Sequence, residues 1–262
     1  MKTVLIGAGN LATNLGRALL EAGHDILQVY SRTMESAMAL APQVGGAPTN
    51  DLDSIVRDAD AYIVAVKDSA LVELIPKLCK GRENAVFMHT AGSMPIGVFQ
   101  GMALHYGVLY PMQTFSKSRQ ADFSKITCFI EANDAHAMKV IRHLAETTCG
   151  ATRELSSEER RHLHLAAVFA CNFVNHCYEI SAEILERHDI PFEVMLPLID
   201  ETARKVHDMS PMKAQTGPAV RYDENVIREQ ARMLHTDPFA RDIYERMSLN
   251  IYRKYKNKGN SD

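Results

Sequence analysis

The chain has no tryptophan, and aromatic residues fill only 7% of its 262 positions. Its five cysteines, Cys79, Cys128, Cys149, Cys171 and Cys177, are odd in number and form no Cys-x-x-Cys, which argues against both a disulfide framework and a zinc site. They read as reduced, buried thiols of a cytoplasmic protein, and no metal is expected. No uncharged apolar run approaches the roughly 18 residues of a membrane span, and no charged-then-apolar leader precedes Val4. Charge is not blocked either: 29 basic residues are interleaved with 32 acidic ones for a net of −3, so nothing here attracts nucleic acid. Internal repeats and low-complexity tracts are missing. What is present is 46% hydrophobic content, enough core for one large domain or two modest ones that bind small molecules.

The organising stretch is the first. An aliphatic run, Val4-Leu5-Ile6, leads into Gly7-Ala8-Gly9, and Leu11, Leu15, Ala18, Leu19 and Ala22 then follow at helical spacing. Strand, turn and helix in that order suit a dinucleotide. Gly7 permits the tight turn, Gly9 lets backbone approach a pyrophosphate, and Ala12 is small where helix must lie close to strand. The anion would sit on the helix N–H groups of Asn10, Leu11 and Ala12. After the second strand, Ile26 to Tyr30, an NAD site would place a carboxylate, whereas this chain has Tyr30-Ser31-Arg32-Thr33. Ser31 and Arg32 suit the 2′-phosphate of NADP(H), since a guanidinium offers a planar fork of donors. The alternative is a solvated Arg32 at a helix start.

Further strands are expected at Asp60–Val66, Ala85–Met88, Tyr106–Tyr110 and Ile126–Glu131, with a helix from Asp68 or Ser69 and another from Asp134 to Thr148. Ligands gather beyond the carboxyl ends of such strands, so Val66 and Lys67 would line the nucleotide side, unless Lys67 is simply an exposed helix-start lysine. His89-Thr90-Ala91-Gly92-Ser93 lies at one tip, with groups suited to orient a carbonyl or imine, or merely to cap and to satisfy backbone. The reading is an α/β Rossmann-type doubly wound parallel sheet over 1–150, followed by an all-α domain over 151–262.

That second domain opens with Ser156-Ser157-Glu158-Glu159, a capping-box pattern, and runs without Gly or Pro to His188, about 32 residues or roughly 48 Å of helix. Leu163 to Val174 is apolar nearly all round, which predicts burial on every side. His164, Asn172, Asn175, His176 and Glu179 then fall in a sector about 120° wide at 100° per residue, either a ligand site or a polar seam to a partner subunit. Asp223 and Asp237 each start a helix, and 254–262 reads as a frayed tail.

The motifs Gly7-Ala8-Gly9-Asn10-Leu11-Ala12, Tyr30-Ser31-Arg32 and Ala65-Val66-Lys67 resemble pyrroline-5-carboxylate reductase and the wider 6-phosphogluconate and β-hydroxyacid dehydrogenase superfamily. Over nearly the whole chain, the resemblance is to a family of NADP oxidoreductases with a Rossmann-like domain and an uncharacterised helical C-terminal domain. It is carried by His89 to Ser93, Tyr110-Pro111-Met112-Gln113-Thr114-Phe115-Ser116, His164 with Asn172, and Thr216-Gly217-Pro218 with Arg221 and Asp223. The resemblance implies a homodimer in which the helical domain closes the site. Two departures bar transfer of a named activity: the dehydrogenase Lys and Asn one turn apart are replaced by His164 and Val168, with Asn172 two turns on, and the Ser-Gly-rich motif of pyrroline-5-carboxylate reductase is missing. Tyr222 also stands where the family tends to have Gly. The expectation is an NADP-dependent oxidoreductase acting on a small carbonyl or imine, with His164 as proton donor because imidazole titrates near 6.5, and Asn172 and Thr90 positioning it. The alternatives are a non-catalytic NADP-binding dimer and a deazaflavin-dependent NADP reductase.

Overall fold

The computed structural model describes residues 1–256, in two compact units that divide at Asn172 and Phe173. The first unit holds β1 (Lys2–Ile6), α1 (Asn10–Glu21), β2 (Asp25–Tyr30), α2 (Met34–Val44), β3 (Ala47–Thr49), β4 (Ala61–Val64), α3 (Asp68–Cys79), β5 (Val86–His89), β6 (His105–Pro111), β7 (Thr127–Ala132), α4 (Ala135–Thr148), β8 (Ala151–Glu154) and α5 (Ser157–Ala167). The strands form one sheet in the order β3-β2-β1-β4-β5-β6-β7-β8. The order reverses between β1 and β4, which makes their carboxyl ends the natural ligand crevice.

The first six strands are parallel, and β1, β4, β5 and β6 are buried on both faces along most of their length, hence their nearly unbroken apolar runs, while β3 at the edge of the sheet is mostly exposed. Alternation along each strand splits the core in two. Leu5, Ile63, Met88 and Leu109 pack with Leu15, Leu19, Leu40 and Ile141 on one face, while Val4, Ile6, Tyr62 and Phe87 pack with Leu71, Ile75 and Phe99 on the other. The sheet is not parallel throughout, because β7 runs antiparallel to β6 and β8 follows β7. The connection from β6 to β7 carries a short 3-10 turn, Phe123–Lys125, and the chain returns antiparallel. The eighth strand, Ala-Thr-Arg-Glu, was not expected: it is an edge strand with little burial, so its sequence lacks an apolar signature. Position 150 lies between α4 and β8, inside the first unit.

The expected long helix is interrupted. After α5 the chain makes a π-helical segment, Val168–Phe173, and then α6 (Val174–Glu186), so one 100° ladder does not run through it. The Ser156 capping box is present, its hydroxyl taking the Glu159 N–H and the Glu159 carboxylate taking the Ser156 N–H. Burial of Leu163 to Val174 does not occur in a single chain: none of these residues is buried, and Leu165, Phe169 and Phe173 are at least half exposed.

The second unit continues with a 3-10 turn (Phe192–Met195), α7 (Leu196–Asp208), α8 (Pro211–Ala214), α9 (Pro218–Arg221), α10 (Glu224–Met233) and α11 (Pro238–Lys256). Asp223 caps α10 through the Val226 N–H, and Asp237 accepts from the Ala240 N–H at the start of α11. Tyr222 occupies the left-handed region at φ 54, a conformation that suits glycine, and its ring stacks on Tyr252. Only Ala231, Leu234, Ala240 and Ser248 are buried among the described residues of this unit. The expected tail overlaps α11 up to Lys256, and 257–262 lie outside the described residues. No helix is long and apolar enough to cross a membrane among the described residues. The thiols are free but not uniformly buried: Cys79 and Cys128 are buried, Cys149 and Cys177 half-buried, and Cys171 exposed.

Candidate functional site

The glycine turn has the geometry a pyrophosphate requires. Gly7 sits at φ 124, its N–H donates to the Tyr30 carbonyl at 2.8 Å, and a Cβ there would lie 2.3 Å from the Ala65 carbonyl oxygen. Any side chain would break the turn. Gly9 is the N-cap of α1 without a side-chain capping bond, and a Cβ on it would meet nothing within 4 Å. The first bond into the helix from this cap is Thr13 N–H to Gly9 carbonyl, which leaves the amides of Asn10, Leu11 and Ala12 without a partner inside the helix. Ala12 is fully buried against the sheet. These residues fit a bound diphosphate.

At the neighbouring tip of β2, Ser31 is held by its N–H to the Thr49 carbonyl, and Arg32 is exposed with no salt bridge among the described residues. Thr33 is spent on capping α2, its hydroxyl taking the Ser36 N–H. Asp51, beyond β3, is close enough that its charge adds to burial in raising the Tyr30 hydroxyl pKa, a neighbour that linear spacing does not reveal.

On the other side of the crevice, Val66 packs near Gly7, and Lys67 is the N-cap of α3 without a side-chain bond. Neither Asp68 nor Ser69 caps that helix as expected. The Asp68 carboxylate instead accepts from the Ser93 hydroxyl, tying the α3 start to the β5 tip. Thr90 is buried, with its hydroxyl 3.5 Å from the Val64 carbonyl. His89 is fully buried and kept neutral: desolvation first, then the Arg160 charge, pull its pKa down to about 4. Its Nδ1 accepts from the Ala91 N–H at 3.1 Å, while Nε2 makes no hydrogen bond among the described residues.

His164 meets this edge of the sheet from α5. Its Nδ1 is 3.1 Å from the Tyr110 hydroxyl at the end of β6, with the rings edge to face. It also rests on Gly92, where a Cβ would lie 2.6 Å from Nδ1. Asn172 is exposed in the π-helical segment, two turns away. The helix that carries His164 is pinned from below by Arg160, only 1% exposed, which donates to Glu131 of β7 at 2.5 Å and to the Met94 carbonyl at 2.6 Å. Ser157 joins the same cluster through Glu131 and the Ile96 N–H. Tyr110, Arg160 and Glu131 were missed as site residues. Arg160 stands in a charged Glu-Glu-Arg-Arg run that reads as a solvated face, whereas Tyr110 lay in a quoted motif and was readable there. Asn14, also missed, holds the loop after β6 against α1 by taking the Ala121 N–H and donating to the Ser116 carbonyl.

Two hollows lie apart from these groups. One of about 560 Å³ is at the far end of α1, beside Glu21, Asp122 and Thr148, and one of about 270 Å³ runs between α6 and α7. No group of three or more metal-ligating side chains occurs among the described residues.

Residues 2–88 match the family described as NADP oxidoreductase, coenzyme F420-dependent, and residues 126–251 match a domain of unknown function, DUF2520. A crystal structure described as a "putative NADP oxidoreductase" from Bacteroides fragilis is 52% identical at a TM-score of 0.93, covering 96% of this chain and 98% of its own. An imine reductase from Myxococcus stipitatus in complex with NADP+ (15% identity, TM-score 0.67, 100% and 95% covered) shares the fold. So does a pyrroline-5-carboxylate reductase from Coxiella burnetii (17%, 0.59, 97% and 97%). A glutamyl-tRNA reductase from Methanococcoides burtonii is 32% identical over 90 residues, a match to 32% of this chain that spans only 21% of that protein's length. With a nucleotide-ready turn at one end of the sequence and that helical domain at the other, the chain belongs to the NADP oxidoreductase family that joins these two domains, and it is an NADP-dependent oxidoreductase.

Proposed function

We propose that the protein reduces a small carbonyl or imine compound at the expense of NADPH, with His164 as the proton donor. The observation that supports this reading is the seat of His164, against Gly92 and Tyr110, on the sheet edge that also carries the Gly7 turn. Gly7, Gly9, Asn10, Leu11 and Ala12 seat the pyrophosphate, Ser31 and Arg32 hold the 2′-phosphate, and Val66 and Lys67 line the nucleotide side. The bound nicotinamide supplies a hydride to carbon. His164 passes a proton to the carbonyl oxygen or imine nitrogen, giving an alcohol or amine, and regains it from water; Thr90 and Asn172 position these partners. In H164A, NADPH oxidation with 1-pyrroline or a short aldehyde should fall roughly 10²- to 10⁴-fold while NADPH binding is retained. Unchanged turnover removes the role.

The family description of the N-terminal match favours one second reading, hydride exchange between NADP and a reduced deazaflavin. Supplying that donor separates it from metabolite reduction. A non-catalytic NADP-binding dimer is supported instead if an H164A, N172A double variant keeps full function in the cell.

A homodimer is part of the same proposal. The helical unit buries four of its described residues while Val194, Leu196, Leu198 and Val206 stay exposed, Leu198 in the wall of the α6–α7 hollow, an apolar surface suited to a second copy of this chain. Five free thiols favour a reducing compartment such as the cytoplasm.

A further inference from the structure

We propose that Tyr110 is the positioning residue of His164: its hydroxyl holds Nδ1, so Nε2 is the nitrogen left free for the substrate, and the imidazolium delivers its proton from there. The inference rests on the proton-donor reading of His164 and adds which nitrogen acts and what selects it. Among the described residues Nδ1, not Nε2, is the hydrogen-bonded nitrogen, with Tyr110 at 3.1 Å. A second contact fixes the same edge of the ring, since Gly92 leaves room for Nδ1 and Cγ where any Cβ would come within 2.7 Å of both. The ring therefore has one side committed to the sheet. A phenol suits this duty: its oxygen accepts from Nδ1–H both in the imidazolium and in the neutral ring left once Nε2 has delivered its proton, Nε2 then regains one from water, and the phenol's own proton takes no part.

Tyr110 keeps that proton. It is 8% exposed, and burial raises its hydroxyl pKa, with Cys171 adding to the shift and only the charge of Arg160 opposing it. Arg160 in turn is locked to Glu131 and the Met94 carbonyl, so α5 presents His164 to Tyr110 from a fixed base. The rule is general: what one ring nitrogen is bonded to decides which proton the other offers.

Long-range proton–nitrogen NMR on the full chain labelled at histidine tests the assignment, with H164A identifying the signals. Wild type should show the neutral His164 ring as a single tautomer protonated at Nδ1, and Tyr110→Phe should show both tautomers. Gly92→Ala, which dislodges the ring without touching the phenol, should disturb the same signals. A wild-type neutral ring protonated at Nε2, or a tautomer unchanged in Tyr110→Phe, overturns the proposal. In NADPH-dependent turnover, Tyr110→Phe should lose roughly 10- to 10²-fold in kcat with the KM for NADPH unchanged; a full kcat overturns it as well. If H164A itself retains full turnover, the proton-donor reading is what has failed, and the NMR result still decides the tautomer.

Discussion

At the scale of single residues, the nucleotide turn is a matter of atoms that cannot be added and charges that can be removed. Arg32 is the side chain on which discrimination by the 2′-phosphate is expected to rest, since a charge-assisted hydrogen bond to phosphate is stronger than a neutral one. Arg32→Asp should weaken NADPH binding about 10- to 10²-fold and leave NADH binding nearly unchanged, a difference calorimetry reads directly. His89 is legible in another assay. Its folded pKa of about 4 lies below that of an unfolded histidine, so the unfolded state takes up a proton first as the pH falls. The stability that the neutral ring contributes is complete above about pH 6.5 and is lost as the pH drops toward 4, by about 3 kcal/mol at most. His24, also depressed by burial and by its neighbouring cations, contributes with the same sign. His89→Asn, which keeps an acceptor for the Ala91 N–H but does not titrate, should flatten the acid limb of a denaturant-melt series over that window.

At the scale of elements, the decisive joint is the one between α5 and the sheet. Arg160 carries a full charge at 1% exposure, and Glu131 is its counter-ion. Removing the partner strands a buried cation, so Glu131→Ala should cost about 3 kcal/mol in equilibrium unfolding, far more than loss of any exposed ion pair on the outer helices. This joint also marks the limit of what the sequence discloses. β1, β4, β5 and β6 are readable because strands buried on both faces must be apolar nearly throughout, and the Ser156 box because its spacing is a physical requirement of the helix start. β8 is not, since an edge strand needs no apolar side. The π-helical segment is not, because one extra residue in a hydrogen-bond ladder leaves the hydrophobic pattern nearly unchanged. Arg160 pairs across 29 positions with Glu131, and Tyr110 across 54 with His164, contacts that only the folded sheet creates. The glycine turn is readable for the opposite reason: strand, turn and helix follow one another without a break in the chain.

At the scale of the whole molecule, the two units differ in how they are held together. The first has two cores on either side of a sheet, whereas the second has four buried side chains among its described residues and a rim of exposed leucines and valines. Sedimentation equilibrium is expected to give twice the chain mass, and substitution of Leu198 by Asp, in the wall of the α6–α7 hollow, should shift the population to monomer. A single sedimenting species at the chain mass in wild type would refute the dimer.

That shortage of interior in the helical half has a thermodynamic corollary. Mass action couples folding to association whenever an element finds its shelter on another copy, so dilution acts on it as a mild denaturant. Calorimetric scans across a dilution series should therefore resolve two behaviours in one polypeptide: a sheet transition fixed in temperature, and a helical transition that climbs as the protein is concentrated.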